Sequence, residues 1–263
     1  MITKVLITGA RGQLAKTMQQ LFGQKKDDIA FAYVSKKELD ITDKSKVNLF
    51  LKKNDFDYCI NCAAFTNVEQ AEKTPETAFS INADAVKNLA EVCYETNCIL
   101  IHISTDYVFD GKKKGAYTVN DAPNPINVYG ASKLLGESYI QDTLEKYFII
   151  RTSWLYSKKF GHNFYQTIVR KSKTEKTLFI TDTQIGCPTN TINLSYFIFS
   201  IIYEKSEHYG LKHFCDSIPM TWFNFAKSIL VEHNISNQIK LVKTTKYSTF
   251  AQRPKNSVLL NSK

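Results

Sequence analysis

The sequence predicts an α/β fold, a Rossmann-like doubly wound parallel sheet with a smaller C-terminal substrate lobe. Short β-rich apolar runs alternate with amphipathic helical stretches, which is the pattern of successive right-handed βαβ units. A glycine turn follows the first apolar run, and polar residues collect after later runs, where α/β folds hold ligands. We expect a Rossmann domain in residues 1–155, a return of the chain to it around 184–205, and a mainly substrate-binding lobe in 156–263.

Composition narrows the class of protein. The 263 residues include 34 basic and 25 acidic residues, a balance of +9 that suits an anionic ligand. No long basic tract is present, so we expect no nucleic-acid partner. The longest apolar stretch, Tyr196–Tyr203, is far shorter than the ~20 residues that span a bilayer, so we expect no membrane partner and a cytoplasmic protein. Cys59 and Cys62 would face opposite sides of a strand, which argues against a zinc site.

The first unit is a strand, a glycine turn and a helix. Lys4–Thr8 is the strand, Gly9 permits the tight turn, and Gly12 lets backbone amides approach a pyrophosphate at the helix N-terminus. Ala15 stands where the dinucleotide fingerprint has its third glycine, a tolerated exchange. The predicted dinucleotide-binding residues of this turn are Gly9, Arg11, Gly12, Gln13 and Leu14.

Further strands are predicted at Ile29–Val34, Phe56–Cys62, Cys98–Ser104 and Phe148–Arg151. Helices are predicted from a cap at Asp40–Asp43 through Leu51, at Glu76–Cys93, and from Tyr129 to about Glu145. Gly111–Asn127 is a predicted loop, and His102 a predicted core residue. The later third is predicted to contain helices at Asn163–Lys173, Asn193–Tyr203 and Trp222–Glu232, a strand at Leu178–Ile180 and a loop at Gln184–Thr189.

Residues after the second and third strands bear on the cofactor. Many NAD-selective folds have an acid at the end of the second strand, but this chain has Ser35, Lys36 and Lys37 before Glu38. With Arg11 nearby, this arrangement favours NADPH, with NADH as the alternative. Small residues after the third strand would let a nucleotide lie against the backbone, and the predicted contacts there are Ala63, Ala64 and Thr66.

Tyr129 and Lys133 lie four residues apart and project from one face of a helix. A fixed ammonium lowers the pKa of a neighbouring tyrosine, which then exchanges a proton with a carbonyl or alcohol oxygen. By itself such a spacing is more typical of a solvated helix pair.

With these residues assembled, the chain resembles the dTDP-4-dehydrorhamnose reductase family of the extended short-chain dehydrogenase/reductase superfamily. The likeness spans nearly the whole chain. The motifs are Thr8-Gly9-Ala10-Arg11-Gly12-Gln13-Leu14, Leu39-Asp40-Ile41-Thr42, Asn61-Cys62-Ala63-Ala64-Phe65-Thr66, Ser104-Thr105-Asp106-Tyr107-Val108-Phe109-Asp110-Gly111, Asn127-Val128-Tyr129-Gly130-Ala131-Ser132-Lys133, Arg151-Thr152-Ser153-Trp154-Leu155-Tyr156, Gln184-Ile185-Gly186-Cys187-Pro188-Thr189 and Arg253-Pro254-Lys255-Asn256-Ser257.

The resemblance implies an NAD(P)H-dependent reduction of the C4 keto group of a nucleotide-diphosphate sugar. It implies catalytic roles for Thr105, Tyr129 and Lys133, with Tyr129 as the proton donor. It adds Asp40 and Ile41 to the cofactor contacts, and it allows a homodimer. Ala15-Lys16 offers no carboxylate where some family members bind magnesium, so no metal is expected. The implied sugar-binding residues are Thr105, Asp106, Tyr107, Trp154 and Arg253.

Two alternatives stay open at this point. One is reduction of a different nucleotide-linked 4-keto-6-deoxyhexose. The other is a non-catalytic regulatory subunit, since the regulatory subunit of methionine adenosyltransferase is similar to this family. A 4,6-dehydratase is disfavoured because Tyr107 replaces the second acid of that chemistry. A serine hydrolase is disfavoured because Gly130–Leu134 lacks the closing glycine of a nucleophile elbow.

Overall fold

The computed structural model describes residues 2–245 and 249–262. Its strands are β1 (Thr3–Thr8), β2 (Lys25–Lys26), β3 (Ile29–Tyr33), β4 (Tyr58–Asn61), β5 (Ile99–Thr105), β6 (Tyr147–Thr152), β7 (Leu155–Tyr156), β8 (Thr177–Thr181), β9 (Ile185–Gly186), β10 (Thr189–Asn190), β11 (Gly210–His213), β12 (Met220–Thr221) and β13 (Lys240–Thr244). Its α-helices are α1 (Gln13–Phe22), α2 (Lys44–Asn54), α3 (Val68–Lys73), α4 (Pro75–Phe79), α5 (Ala85–Thr96), α6 (Val128–Thr143), α7 (Phe164–Lys171), α8 (Thr191–Tyr203) and α9 (Trp222–Glu232).

The main sheet has the strand order β11-β6-β5-β4-β1-β3-β2. Every neighbouring pair is parallel except β2 and β3, which are antiparallel. From β1 the chain first adds β3 on one side and then β4 on the other. The carboxyl ends of β1 and β4 therefore form a topological switch point, the place where open α/β sheets bind ligands. The predicted doubly wound parallel sheet is confirmed.

Helices cover both faces of this sheet. Leu6 points into a core with α2, α5 and α6, whereas Ile7 points into a core with α1 and α8. Both side chains are fully buried, and each such aliphatic burial contributes roughly 1.5–3 kcal/mol. Cys59 packs in the first core and Cys62 against the second, so these free cysteines do face opposite sides of the sheet.

The helix predicted at Glu76–Cys93 is present, but it is not α-helical throughout. The chain forms α4, a π-helical turn at Ser80–Asp84, and then α5. The extra residue of the turn points the Asn82 amide inward, where it bonds Phe65 N (2.8 Å), Phe65 O (3.0 Å) and Ser132 Oγ (3.0 Å). These long-range hydrogen bonds compensate for the weaker backbone hydrogen bonding of the π-helical turn. The period of the apolar residues does not predict them.

The later part of the chain builds a separate core from α7, α9 and the parallel pair β8–β13. The chain also returns to the main sheet, because α8 packs in the core with α1 and β11 pairs with β6. The predicted loop at Gln184–Thr189 contains β9, which pairs with β12, and the first residue of β10. The division at residue 155 stays a prediction. In the two described ranges, no helix has the length and apolar character needed to cross a membrane.

Candidate active site

A cavity of about 600 Å³ opens at the carboxyl ends of the central strands, within the usual size range of small-molecule sites. The glycine turn, the segment after β5, the first turns of α6, and residues of the later lobe all line it. The cavity brings together thirteen of the predicted site residues: Arg11, Gly12, Gln13, Leu14, Ala64, Thr66, Thr105, Asp106, Tyr107, Tyr129, Lys133, Trp154 and Arg253.

The glycine turn closes tightly onto the end of β4. Gly9 has φ +67°, and a Cβ there would lie 2.7 Å from Ala63 N. Both residues thus form the base of the turn and do not line the cavity. Gly12 is the N-cap of α1, and no side chain caps the helix. The first-turn amides, including those of Gln13 and Leu14, are therefore free of side-chain partners and can bind an anion.

Ser35, Lys36, Asp40 and Ile41 lie beyond β3, outside the cavity lining. Here an acid does return to the strand end, because Glu38 Oε2 accepts a hydrogen bond from Ser35 N at 2.7 Å. That bond lowers the pKa of Glu38, and the positive charge of Arg11 lowers it further. The sequence analysis placed Glu38 after the strand end and did not predict this hydrogen bond, although Ser35-x-x-Glu38 is the pattern of a capping box.

Thr105 and Tyr129 are positioned by two adjacent turns. Thr105 Oγ1 accepts from Tyr107 N at 3.1 Å, which starts a 3₁₀ turn after β5. Asn127 caps α6 by accepting from Gly130 N at 2.7 Å. Gly130 lies against the 3₁₀ turn so closely that a Cβ would be 2.1 Å from Tyr107 O. The rings of Tyr107 and Tyr129 consequently meet edge to face, with centroids 5.9 Å apart.

The expected lowering of the tyrosine pKa by the lysine is absent from this structure. Burial raises the pKa of Tyr129, and the Thr105 hydroxyl acts in the opposite direction. Burial lowers the pKa of Lys133 to about 8. The physical reason is orientation, because Lys133 Nζ lies 2.9 Å from His102 Nε2. His102 is buried as predicted, but its ring contacts a predicted catalytic residue.

Two more charged groups border the cavity. Burial raises the pKa of Asp106 to about 7, and its Oδ1 accepts from Thr105 Oγ1 at 3.1 Å. Arg253 Nη2 donates to Glu69 Oε1 at 2.9 Å. Glu69 Oε2 also accepts from the backbone of Phe250 (2.8 Å) and thereby holds this C-terminal segment against α3. Arg253 is thus part of the cavity wall.

An aromatic wall lines the same cavity as the two tyrosines. Trp154 has φ +47° and stacks on Trp222, with ring centroids 3.4 Å apart and planes 5° apart. Gly186 leaves room for this stack, since a Cβ there would lie 2.6 Å from Trp154 Cε2. Phe164 packs on Trp222 at 4.5 Å. Sequence reasoning missed Trp222 and Phe164, because no motif links either residue to Trp154.

The fold and the site together define a class of protein. A parallel sheet with a glycine turn at its switch point, and a threonine, tyrosine and lysine facing the same cavity, are typical of a short-chain dehydrogenase/reductase. In the described part of the chain, no three His, Cys, Asp or Glu side chains cluster to hold a metal ion.

Comparison with known proteins gives the family. The family model "RmlD substrate binding domain" matches residues 3–263. The dTDP-4-dehydrorhamnose reductase of Aggregatibacter actinomycetemcomitans is 35% identical over 98% of this chain and 90% of its own. The Salmonella typhimurium enzyme of the same name is 34% identical with the same coverages. The chain belongs to this family, that of the dTDP-4-dehydrorhamnose reductases, and the resemblance found in the sequence is confirmed.

Solved structures agree with this assignment. The dTDP-4-dehydrorhamnose reductase of Clostridium acetobutylicum superposes with a TM-score of 0.93 at 37% identity, covering 98% of this chain and 90% of that one. The Bacillus anthracis enzyme, solved in complex with NADP, also gives 0.93 at 37% identity, covering 100% and 92%.

Proposed function

We propose that this protein is an NADPH-dependent reductase that converts dTDP-4-dehydro-6-deoxy-L-mannose to dTDP-L-rhamnose by reducing the C4 carbonyl. One observation carries the proposal. Thr105, Tyr129 and Lys133 line the same cavity as the uncapped first turn of α1. The names of the relatives, and the NADP bound by the Bacillus anthracis enzyme, support the choice of substrate and cofactor.

The cavity residues fit a dinucleotide. The free amides of Gln13 and Leu14 suit a pyrophosphate, and the cation of Arg11 suits a ribose 2′-phosphate. Gly9 packs directly against the backbone of Ala63, so the glycine turn leaves room for the dinucleotide above it. A bound reduced nicotinamide supplies the hydride for the reaction. The proposed further contacts of the cofactor are Gly12, Ser35, Lys36, Asp40, Ile41, Ala64, Thr66, Tyr129 and Lys133.

The residues of this chain would handle the proton and the orientation of the substrate. Tyr129 donates its hydroxyl proton to the C4 oxygen as that oxygen gains negative charge. Thr105 donates a hydrogen bond to the same oxygen and holds the carbonyl in place. Lys133, as an ammonium, holds the nicotinamide ribose and stabilises the Tyr129 phenolate that remains. The edge-to-face contact with the Tyr107 ring helps to hold the Tyr129 ring in place at the cavity wall.

We infer that the lobe at 156–263 completes the sugar site. Asp106 and Tyr107 would contact the hexose, and Trp154 would form the opposite wall with its stacked partner Trp222. Arg253 would bind the diphosphate through charge-assisted hydrogen bonds, exchanging its bond to Glu69 for the phosphate oxygens.

The test supplies dTDP-glucose with the upstream dehydratase and epimerase, adds this protein and NADPH, and analyses the products by mass spectrometry and chromatography. We expect dTDP-rhamnose and matching NADPH oxidation. Tyr129→Phe is the control, and loss of the general acid should reduce turnover by roughly 10²–10⁴-fold. A different 6-deoxyhexose epimer would keep the reductase and reject the named product. No oxidation with any nucleotide-linked keto sugar would favour the regulatory-subunit alternative.

Assembly and location are also proposals. We propose a cytoplasmic location and a homodimer. The homodimer is supported by exposed apolar side chains along α8 at Ile192, Tyr196 and Tyr203. Light scattering after size-exclusion chromatography should give twice the chain mass, and Tyr196→Lys should shift it toward the monomer. Cell fractionation tests the location.

A further inference from the structure

Four polar side chains form a buried line across the main sheet, from β1 to α6. Thr8 Oγ1 donates to Asn61 Oδ1 at 2.7 Å, and Asn61 Nδ2 lies 3.1 Å from His102 Nδ1. Lys133 Nζ then lies 2.9 Å from His102 Nε2. None of the four is more than 1% exposed, so each proton in the line must have a definite position.

The direction of these hydrogen bonds follows from one backbone amide. Ala63 N–H can only donate, and it lies 3.2 Å from Asn61 Oδ1, which fixes the orientation of the Asn61 amide. The amide nitrogen therefore donates to His102 Nδ1. A neutral imidazole with an acceptor at Nδ1 carries its proton on Nε2, and burial lowers the pKa of His102 well below its usual value.

The proton on His102 Nε2 points at Lys133 Nζ. An ammonium has only donors, so a protonated lysine and this Nε2–H would oppose each other. A neutral amine, in contrast, accepts the hydrogen bond through its lone pair. The geometry thus favours the amine form of Lys133 in the ligand-free protein.

The other ionisable groups around Lys133 offer little compensation. The charge of Glu137 on α6 raises the pKa of Lys133, but this carboxylate is held in a bidentate pair by Arg151 Nε (3.0 Å) and Nη2 (2.6 Å). Burial raises the pKa of Cys62, at the end of β4, to about 12, so that thiol is neutral. Burial likewise keeps Tyr129, one turn earlier on α6, neutral.

We propose that His102 is a positioning residue that favours the neutral amine form of Lys133 in the free protein, and that binding of the dinucleotide draws Lys133 away, so that each neutral Lys133 takes up one proton from solvent. The inference rests on the proposed function, in which Lys133 acts as an ammonium on the ribose. The balance is simple: Lys133–NH₂ gains H⁺ from the buffer through the open cavity, His102 keeps its own proton, and no covalent bond to carbon changes.

The experiment is calorimetric titration of the protein with NADPH in pairs of buffers that differ in ionisation enthalpy, which counts the protons taken up on binding. It uses the Tyr129→Phe variant beside the wild type, so that ionisation of this tyrosine does not contribute. With a free-state pKa of about 8, uptake should rise from about 0.1 proton per site at pH 7 to about 0.9 at pH 9. At these pH values the 2′-phosphate is already ionised.

Two variants identify the side chain that takes up the proton. Lys133→Met should abolish the uptake. His102→Gln, which places an amide oxygen near the position of Nε2, can accept from an ammonium and should reduce uptake at pH 9 at least threefold. Circular dichroism checks the fold of both, and the wild-type count does not depend on either. Binding with under about 0.2 proton at pH 9, or full uptake by either variant, would overturn this inference alone. No binding of NADPH or NADH would overturn the proposed function and this inference together.

Discussion

Gly130→Ala should impair catalysis through position alone. The new Cβ would lie 2.1 Å from Tyr107 O, whereas real Cβ atoms essentially never come within 3.0 Å of such a neighbour. The start of α6 must therefore move by about 1 Å from the 3₁₀ turn, and a misplacement of that size can cost on the order of 100-fold in rate. Because Tyr129 moves with α6 and Thr105 with the turn, kcat should fall by roughly 30–100-fold.

Gly136→Ala is the matched control. Its Cβ would lie 2.2 Å from Asn82 O, an equally severe clash with the backbone on the same helix. That clash lies against the π-helical turn, two turns beyond Tyr129. Both variants should lose about 1–3 kcal/mol of unfolding free energy, but only Gly130→Ala should show the large loss of kcat. The assay is NADPH oxidation with the keto sugar, beside urea unfolding. A folded Gly130→Ala protein with more than a third of wild-type kcat would refute the reasoning.

Three further predictions concern charged groups. Glu38→Gln removes the exposed carboxylate at the end of β3, so the ratio of kcat/KM for NADPH to that for NADH should rise about three- to tenfold, and an unchanged ratio would exclude Glu38 from cofactor selection. Arg151→Met leaves Glu137 charged and unpaired in the core, so unfolding free energy should fall by about 3–5 kcal/mol. Most of the lost unfolding free energy should return in the double variant Arg151→Met with Glu137→Leu. Denaturant titration of the single and the double variant measures both changes. The pKa of Asp106 is raised on folding to about 7, so the folded protein binds the extra proton, and stability should fall as pH rises from about 4 through 7. Asp106→Asn should flatten this slope, and an identical slope in both proteins, measured by unfolding from pH 4.5 to 8, would contradict the assignment.

The sequence predicted the features that depend on local pattern. The period of apolar residues and the position of Gly9 after a buried run were sufficient for the parallel sheet and its switch point. The π-helical turn could not be predicted, because it depends on bonds from Asn82 to residues far along the chain. The hydrogen bond that brings Glu38 back to the strand end could have been predicted from its spacing to Ser35, whereas no such signal placed Trp222 at the cavity.

The orientation of Lys133 shows a second limit of prediction. The spacing to Tyr129 correctly placed both residues on one helix facing the cavity. The partner of the lysine is decided by His102, which reaches it from β5. A flexible lysine side chain can contact either His102 or Tyr129. The choice depends on burial and on proton positions across several elements, and these are set only by the complete fold.

Gln13 has a consequence for engineering chimeric enzymes from this fold. Its side chain donates a hydrogen bond to Leu155 O at 3.0 Å and accepts one from Asn163 Nδ2 at 3.0 Å. These two bonds connect the first residue of α1 to the segment at the start of the later lobe. Gly161, at φ +73°, lets that loop pass within van der Waals distance of the same side chain. A lobe transplanted from a relative would preserve the register of the two halves only if it brought an amide donor at position 163 and glycine at 161.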